Sequence, residues 1–300
     1  MMVYKFVRKA AFNFASVFVS MVLASTANAE AYFNLDTKLK YDNNLTNAKR
    51  SSDIVGDALV VANINGGYYF QFSDSNSLRL QADLGAEAYN TYHGLNNVSL
   101  GGSAFLKHKW DLGLYAPWTG VSVSATRLDY NENVRDGWQY QAQLSAGKRV
   151  AEHLDLWVDF AIQRRTADKD TEVDPGVSGA AFDTFNKVLK LDAVYTFDDR
   201  TFLTLGYQLR RGDVVSTTIE ESPDGTWDSI LRAVALDPTF GPHAEAYTIG
   251  GTTHTFGMRI STVLSTNSVL GFEYQRHITH ADGNINYYKS IPALTFSYSF

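Results

Sequence analysis

Apolar and polar residues alternate along this chain in segment after segment. In 33–41, Phe33, Leu35, Leu39 and Tyr41 oppose Asn34, Asp36, Lys38 and Lys40. In 78–88, Leu78, Leu80, Ala82, Leu84 and Ala86 oppose Arg79, Gln81, Asp83 and Glu87. In 138–146, Trp138, Tyr140, Ala142, Leu144 and Ala146 oppose Gln139, Gln141, Gln143 and Ser145. In 154–162, Leu154, Leu156, Val158, Phe160 and Ile162 oppose Asp155, Trp157, Asp159 and Ala161. Successive strand side chains point to opposite faces, so each segment predicts a strand with one apolar and one polar face. Looser alternation marks 58–72, 98–110, 118–130, 185–197, 202–211, 247–263, 269–279 and 286–300. In 118–130 the phase changes after Ala125, where Arg127 and Asp129 take the parity of Val121 and Val123; a bulge is expected there.

These segments suit strands of ~9–11 residues that cross a bilayer, whereas strands of a secreted β-sandwich run ~5–6 residues. The expected fold is therefore all-β: a transmembrane antiparallel up-and-down β-barrel of about twelve strands, with the apolar parity toward lipid. The breaks alternate in length. Ser73–Asn76, Asp111–Pro117, Ala151–His153, Asp198–Arg200 and Ser265–Asn267 are short, while Thr166–Ala181 and Gly212–Ala246 are long. Short periplasmic turns and long outer loops give this pattern, with the N-terminus periplasmic. Aromatics near strand ends predict two interfacial belts. Phe70, Phe72, Trp110, Trp118, Tyr195, Phe197, Tyr298 and Phe300 form the periplasmic one. Tyr41, Tyr92, Tyr130, Trp138, Phe185, Tyr247 and Tyr288 form the outer one.

The last strand carries Leu294, Phe296, Tyr298 and Phe300 on one parity and Ala293, Thr295, Ser297 and Ser299 on the other. This ending resembles the C-terminal signature of bacterial outer-membrane β-barrels. The resemblance implies a bacterium with two membranes and periplasmic termini. It also implies insertion by the barrel-assembly machinery through the strand ending at Phe300, and a surround of outer-membrane lipid and lipopolysaccharide. Tyr41-Asp-Asn-Asn-Leu-Thr46 is similar to the opening of several porin-like barrel families and transfers no functional residue.

The start of the chain fits export. Lys5, Arg8 and Lys9 precede an apolar stretch near Ala10–Leu23, and Ala27-Asn28-Ala29 offers a cleavage site. The stretch is shorter than the ~20 residues of a membrane helix. The expected organisation is a signal peptide over 1–29 and a single barrel domain over 30–300. There are no cysteines, which rules out disulfides and thiolate metal ligands. The net charge is −6 for the whole chain, which argues against a nucleic-acid partner.

If the apolar parity faces lipid, the polar parity faces the lumen. The candidate lumen residues are Lys38, Lys40, Arg79, Asp83, Glu87, Lys107, Lys109, Arg149, Asp159, Arg165, Arg210, Arg259 and Glu273. Cations outnumber acids on that face, so a wet lumen would favour small polar or anionic solutes. The alternatives are salt-bridge ladders that fill a plugged barrel, or a lipid-modifying enzyme. Twelve strands lie between filled eight-stranded barrels and wide porins, so a narrow or gated passage is expected. No catalytic, metal or cofactor set is assigned. His277, of lumen parity, is the candidate base for the enzyme alternative, and His280 lies on the opposite face. Asp168, Asp170, Glu172 and Asp174 alternate without the spacing of a calcium loop. Arg211-Gly212-Asp213 is read as a strand end running into a turn. Within 212–246 a short helix is expected from a Thr226 cap to Val234, folded over the mouth or forming a free outer loop; a hairpin there would raise the strand count to fourteen.

Overall fold

The structure, a computed structural model, describes residues 29–171, 173, 177–219 and 231–300. Its thirteen strands form one antiparallel sheet. They are β1 (Ala29–Asp42), β2 (Asp57–Gln71), β3 (Asn76–Tyr89), β4 (Asn97–Lys109), β5 (Trp118–Tyr130), β6 (Gly137–Ala151), β7 (Leu154–Ala167), β8 (Thr184–Thr196), β9 (Thr201–Thr218), β10 (Ala233–Leu236), β11 (Glu245–Ser265), β12 (Ser268–Ala281) and β13 (Ile285–Ser299). Twelve close into a ring: β1 pairs with β13, and β11 pairs with both β9 and β12. Closure leaves no open edge among the long strands. The barrel thus has the expected twelve strands; β10 lies outside the ring, paired with the upper part of β11.

Closure joins β1 to the last strand of the chain. Leu35 pairs with Tyr298, and the Phe300 N–H donates to the Phe33 carbonyl at 2.9 Å. The Phe33 and Phe300 rings meet edge-on, 5.0 Å between centroids. Ala29, the last residue of the expected signal peptide, opens β1 opposite Phe70; residues 1–28 lie outside the described residues.

The alternation in sequence becomes two faces of one wall. Val123, Leu191 and Leu205 are 55%, 44% and 50% exposed, which places the apolar parity on the outside of the ring. A wall so apolar on its outer face is built to meet lipid. On the inner face Ser145, Val188, Asp192, Thr253, Thr255, Glu273, Thr279 and Ala293 are buried. The lumen is thus narrowed by its own side chains. A concavity of about 820 Å³ is an apolar hollow involving Ala146, Leu156, Val158, Leu191 and Leu205, on the lipid-facing side.

Several sequence expectations are corrected. β5 has no bulge: Thr126, Arg127 and Leu128 keep an unbroken register with β4 and β6. Arg127 and Asp129 stay on the outer parity and neutralise each other, with Asp168 as a second partner of the guanidinium at 2.6 Å. Register shifts occur instead between Arg149 and Ala151, and between Val263 and Ser265. Arg211-Gly212-Asp213 lies inside β9 and is no turn. Gly212 sits opposite Asn186 at φ +149°, where a Cβ would lie 2.1 Å from the Phe185 carbonyl oxygen, so glycine there serves close strand packing. Val234, expected at the end of a helix, lies in β10; most of that expected helix lies outside the described residues.

Both belts also change membership. Trp118 opposes Lys109 and Gly147 and turns inward, edge-on to Phe105 with 6.3 Å between centroids. Tyr130 is inward too, beneath the Arg165 guanidinium. Tyr92 packs on Phe240 and Tyr247 is buried, both at the loop end of the barrel.

Candidate functional site

The ring has two unlike ends. One carries short turns, the start of β1 at Ala29 and the end of the chain at Phe300. The other carries the described residues of the segments 43–56, 90–96, 131–136, 168–183, 219–244 and 282–284. At this loop end β9 and β11 run on past their neighbours, and β10 adds to β11 with Val234 N–H bonded to the Ser178 carbonyl at 2.8 Å. Backbone hydrogen bonds are thereby satisfied in segments that look like loops in sequence.

Three apolar clusters hold these segments together as a folded cap. Val134, Ala181, Phe182, Ala233, Ala235 and Ala246 form one. Val214, Val234, Tyr247, Ile249, Ile285 and Tyr287 form the second. Leu95, Phe240 and Ala244 form the third, with Leu45, Val55, Tyr89, Tyr92 and Ile219 around them. Polar contacts pin the same segments. Thr217 N–H donates to Thr46 O at 2.8 Å, and Asn47 Nδ2 donates to Val215 O at 2.9 Å. Within 43–56, buried Asn44 donates to Ala48 O at 2.9 Å and buried Thr46 donates to Asp53 O at 2.6 Å. The Tyr41–Thr46 stretch is thus a structural hinge-pin of the cap.

The most buried ion pair among the described residues joins Arg135 to Asp237, whose side chain is fully buried. The Arg135 guanidinium also lies over the Phe182 ring, 4.5 Å from its centroid, and over Phe240 at 5.8 Å. Arg135 therefore ties the 131–136 segment to 168–183 and 219–244 at one point. Beside it, burial pushes the Asp136 carboxyl above the usual carboxylate range, although the Tyr130 N–H donates to it at 2.7 Å.

Beneath the cap is a polar cavity of about 280 Å³, lined by Arg135, Arg165 and Arg210 with Gln139, Gln163 and Asn186 among its other residues. Arg165 lies over the Tyr130 and Phe182 rings and donates to the Arg135 carbonyl. Its Nε has no hydrogen-bond partner, and neither does Asn186 Oδ1. Among the described residues, the Arg210 guanidinium donates only to Thr253 Oγ1, at 3.4 Å.

The register places all thirteen candidate lumen residues on the inward parity, and their partners divide them. Arg149 pairs with Asp155 at 2.9 Å, and Glu273 takes both Arg259 and, at 3.7 Å, Lys38. Lys190–Asp192 and Lys289–Asp42 add two further inward pairs. Lys40, Arg79, Lys107, Lys109, Arg165 and Arg210 have no carboxylate within ion-pair distance among the described residues. Arg79 lies over Phe105 at 5.5 Å and Lys107 over Trp118 at 4.8 Å. Of the inward acids, Asp83 accepts from Gln81, Glu87 from Tyr89 and Asn97, and Asp159 from Gln143. Ladders and unpaired cations therefore coexist. The cap residues Arg135, Phe182 and Asp237 were not legible as a site in sequence: they lie in irregular segments with no period to place them.

His277 is inward, with Nδ1 3.0 Å from Thr255 Oγ1 and Nε2 3.2 Å from Gln275 Oε1. His280 opposes Thr252 on the outer face and contacts Asn286 Oδ1 at 3.1 Å. Asp170 accepts from the Gly179 N–H at 2.7 Å, while Glu172 and Asp174 lie outside the described residues.

No protein-family model and no curated protein matches the chain. Among solved structures, the COG4313 outer membrane channel from Pseudomonas putida F1 superposes with a TM-score of 0.56 at 13% identity, over 92% of this chain and 97% of that one. The two share a fold, a closed antiparallel β-barrel of the outer-membrane type. The NanC porin gives 0.48 at 8% identity, over 88% and 98% of the two chains. The outer membrane channel DcaP of Acinetobacter baumannii gives 0.44 at 10%, over 92% and 99%.

Proposed function

We propose that this protein is a narrow, gated channel of the bacterial outer membrane that passes small polar or anionic solutes. The observation that carries the reading is the cavity beneath the cap, where Arg165 and Arg210 face solute space with no carboxylate partner and Arg165 Nε and Asn186 Oδ1 lack hydrogen bonds. Unpaired guanidinium groups in a confined polar space attract anions and supply forked donors to carboxylate or phosphate groups. Lys40, Arg79, Lys107 and Lys109 extend the positive lining along the lumen. The solved barrel that superposes best among those above is described as a channel, which agrees with this reading.

In this reading residues 1–29 direct export, the loop end faces outward and both termini face the periplasm. The chain inserts through its last strand, ending at Phe300, and sits among lipopolysaccharide and phospholipid. The cap is the gate, and Arg135–Asp237 is its latch.

Planar-bilayer recording of the refolded protein tests the proposal. The wild type should give small conductance steps with an anion-selective reversal potential. Arg165→Gln combined with Arg210→Gln should remove most of that preference while steps persist. A second reading, a plugged barrel with a structural role, is favoured by the three packed clusters in the cap. Absence of steps in both the wild type and Asp237→Ala would reject the channel and leave the plugged barrel.

A further inference from the structure

The outer face of the wall is largely apolar; charged side chains lie on it near the loop end, among them Arg127 and Asp129 on β5, Arg276 on β12 and a group on β7, β8 and β9. There Arg164, Lys187 and Arg211 sit on the outward parity and are exposed. Arg164 opposes Phe185, and Lys187 opposes both Ile162 and Arg211. Lys187 and Arg211 are thus a like-charged pair directly across two strands, an arrangement that destabilises a sheet unless an anion screens it.

None of the three has an acidic partner among the described residues. The acid closest to them along β9, Asp213, is already engaged: it pairs with Arg232 and accepts the Phe185 N–H at 2.7 Å. The contrast with β5 is direct, since outward Arg127 is neutralised by Asp129 and Asp168.

Their height gives the patch its meaning. On β8 the outward residues below Lys187 are Leu189, Leu191, Ala193 and Tyr195, and Phe197 follows in the turn. A strand tilted by about 40° climbs roughly 2.6 Å per residue along the membrane normal. From Phe197 to Lys187 the wall therefore rises about 26 Å, close to the ~25 Å apolar band of such barrels. Lys187 and Arg211 stand where the acyl region gives way to headgroups, with Arg164 one step above and the exposed Tyr140 and Phe185 rings beside it.

We propose that Arg164, Lys187 and Arg211 form a binding site for the phosphate groups of the phosphorylated glycolipid of the outer leaflet. The site rests on the orientation given above, with the loop end outside. Three cations on adjacent strands match an anionic headgroup whose acyl chains lie along Leu189 and Leu209 below.

Full-length refolded protein in detergent tests this by native mass spectrometry with added lipid. Diphosphoryl lipid A should bind the wild type and bind Arg164→Gln/Lys187→Gln/Arg211→Gln about 100-fold more weakly, roughly fivefold per charge removed. Arg211→Gln alone should show the fivefold loss if the triple variant fails to fold. Equal lipid A affinity in wild type and variants would overturn the proposal. So would phosphatidylglycerol binding as tightly as lipid A, which would make the site one for a periplasmic-leaflet lipid. Competition by millimolar inorganic phosphate would likewise overturn it, as the mark of a free-anion site. Conductance and ion selectivity of Lys187→Gln/Arg211→Gln should match wild type, because these two side chains point away from the lumen and neither borders the cavity beneath the cap. Failure of the channel reading is thus visible separately.

Discussion

The wall and the cap are two ways of spending the same chain. In the wall, each strand carries its own instructions: apolar residues at every second position, and neighbours paired in unbroken antiparallel register for most of their length. In the cap, no segment is ordered by its own pattern. Leu95, Val134, Phe182 and Phe240 come from four connections and are buried against residues of other segments. The wall gains from lipid and from a closed hydrogen-bond ladder. The cap gains from apolar burial away from water, as in a small soluble domain. The difference teaches that the two should fail separately: damage to the cap should leave a barrel, while damage to the wall should leave nothing.

The strongest attempt to break this separation is Asp237→Ala. It leaves Arg135 buried without its counter-charge, a loss of about 3 kcal/mol or more. If the cap is a unit of its own, the loss is confined there. Protease cleavage within the loop-end segments should rise about 100-fold, and the barrel should keep its heat-dependent gel mobility. Unchanged cleavage would show that the latch does not hold the cap. A barrel that fails to fold would show that wall and cap are one cooperative unit.

The converse test strikes the wall. Leu191 lies near the middle of the lipid face of β8, between Val158 and Tyr207. Leu191→Arg should cost about 2–4 kcal/mol there. The expected outcome is a lower urea midpoint for the whole barrel in lipid vesicles, with cap and wall lost in one transition. A separate early transition for the cap would show that the cap does not depend on the wall beneath it.

What could be read from the sequence follows the same division. Period two survives in a single sequence, so the strands, their faces and the ring were legible. The cap was not, because its contacts join residues far apart in the chain, such as Asn47 with Val215 and Arg135 with Asp237. Other errors had a readable cure. Trp118 and Tyr130 were put in the belts for being aromatic near strand ends, yet their parity already pointed inward. Arg127 and Asp129 suggested a bulge because charges on the lipid parity looked forbidden. Their height near the strand end removes the conflict, since above the apolar band that parity meets polar surroundings. The same reasoning on Lys187 and Arg211 would have exposed the basic patch.

Two aspartates, one at each end, sharpen the comparison through pH. In the turn after β8, Asp198 accepts the N–H groups of Arg200 at 2.8 Å and Thr201 at 2.7 Å, and these bonds hold its carboxyl below the usual range. A depressed value means the stabilisation is present above the unfolded-state pKa of about 3.9 and is lost as pH falls through the folded value. Asp136, in the cap, is shifted the opposite way by burial, so its ionised form opposes folding at neutral pH and acidification relieves it. Asp198→Asn should therefore lower the urea midpoint slightly at pH 7, with the gap closing in acid. Asp136→Asn keeps an oxygen for the Tyr130 N–H and removes the buried charge, so at pH 7 it should leave the cap as protease-resistant as wild type or more so. If both variants weaken the protein alike at pH 7, the cap interior is as open to water as the turn, and the cap is no folded unit.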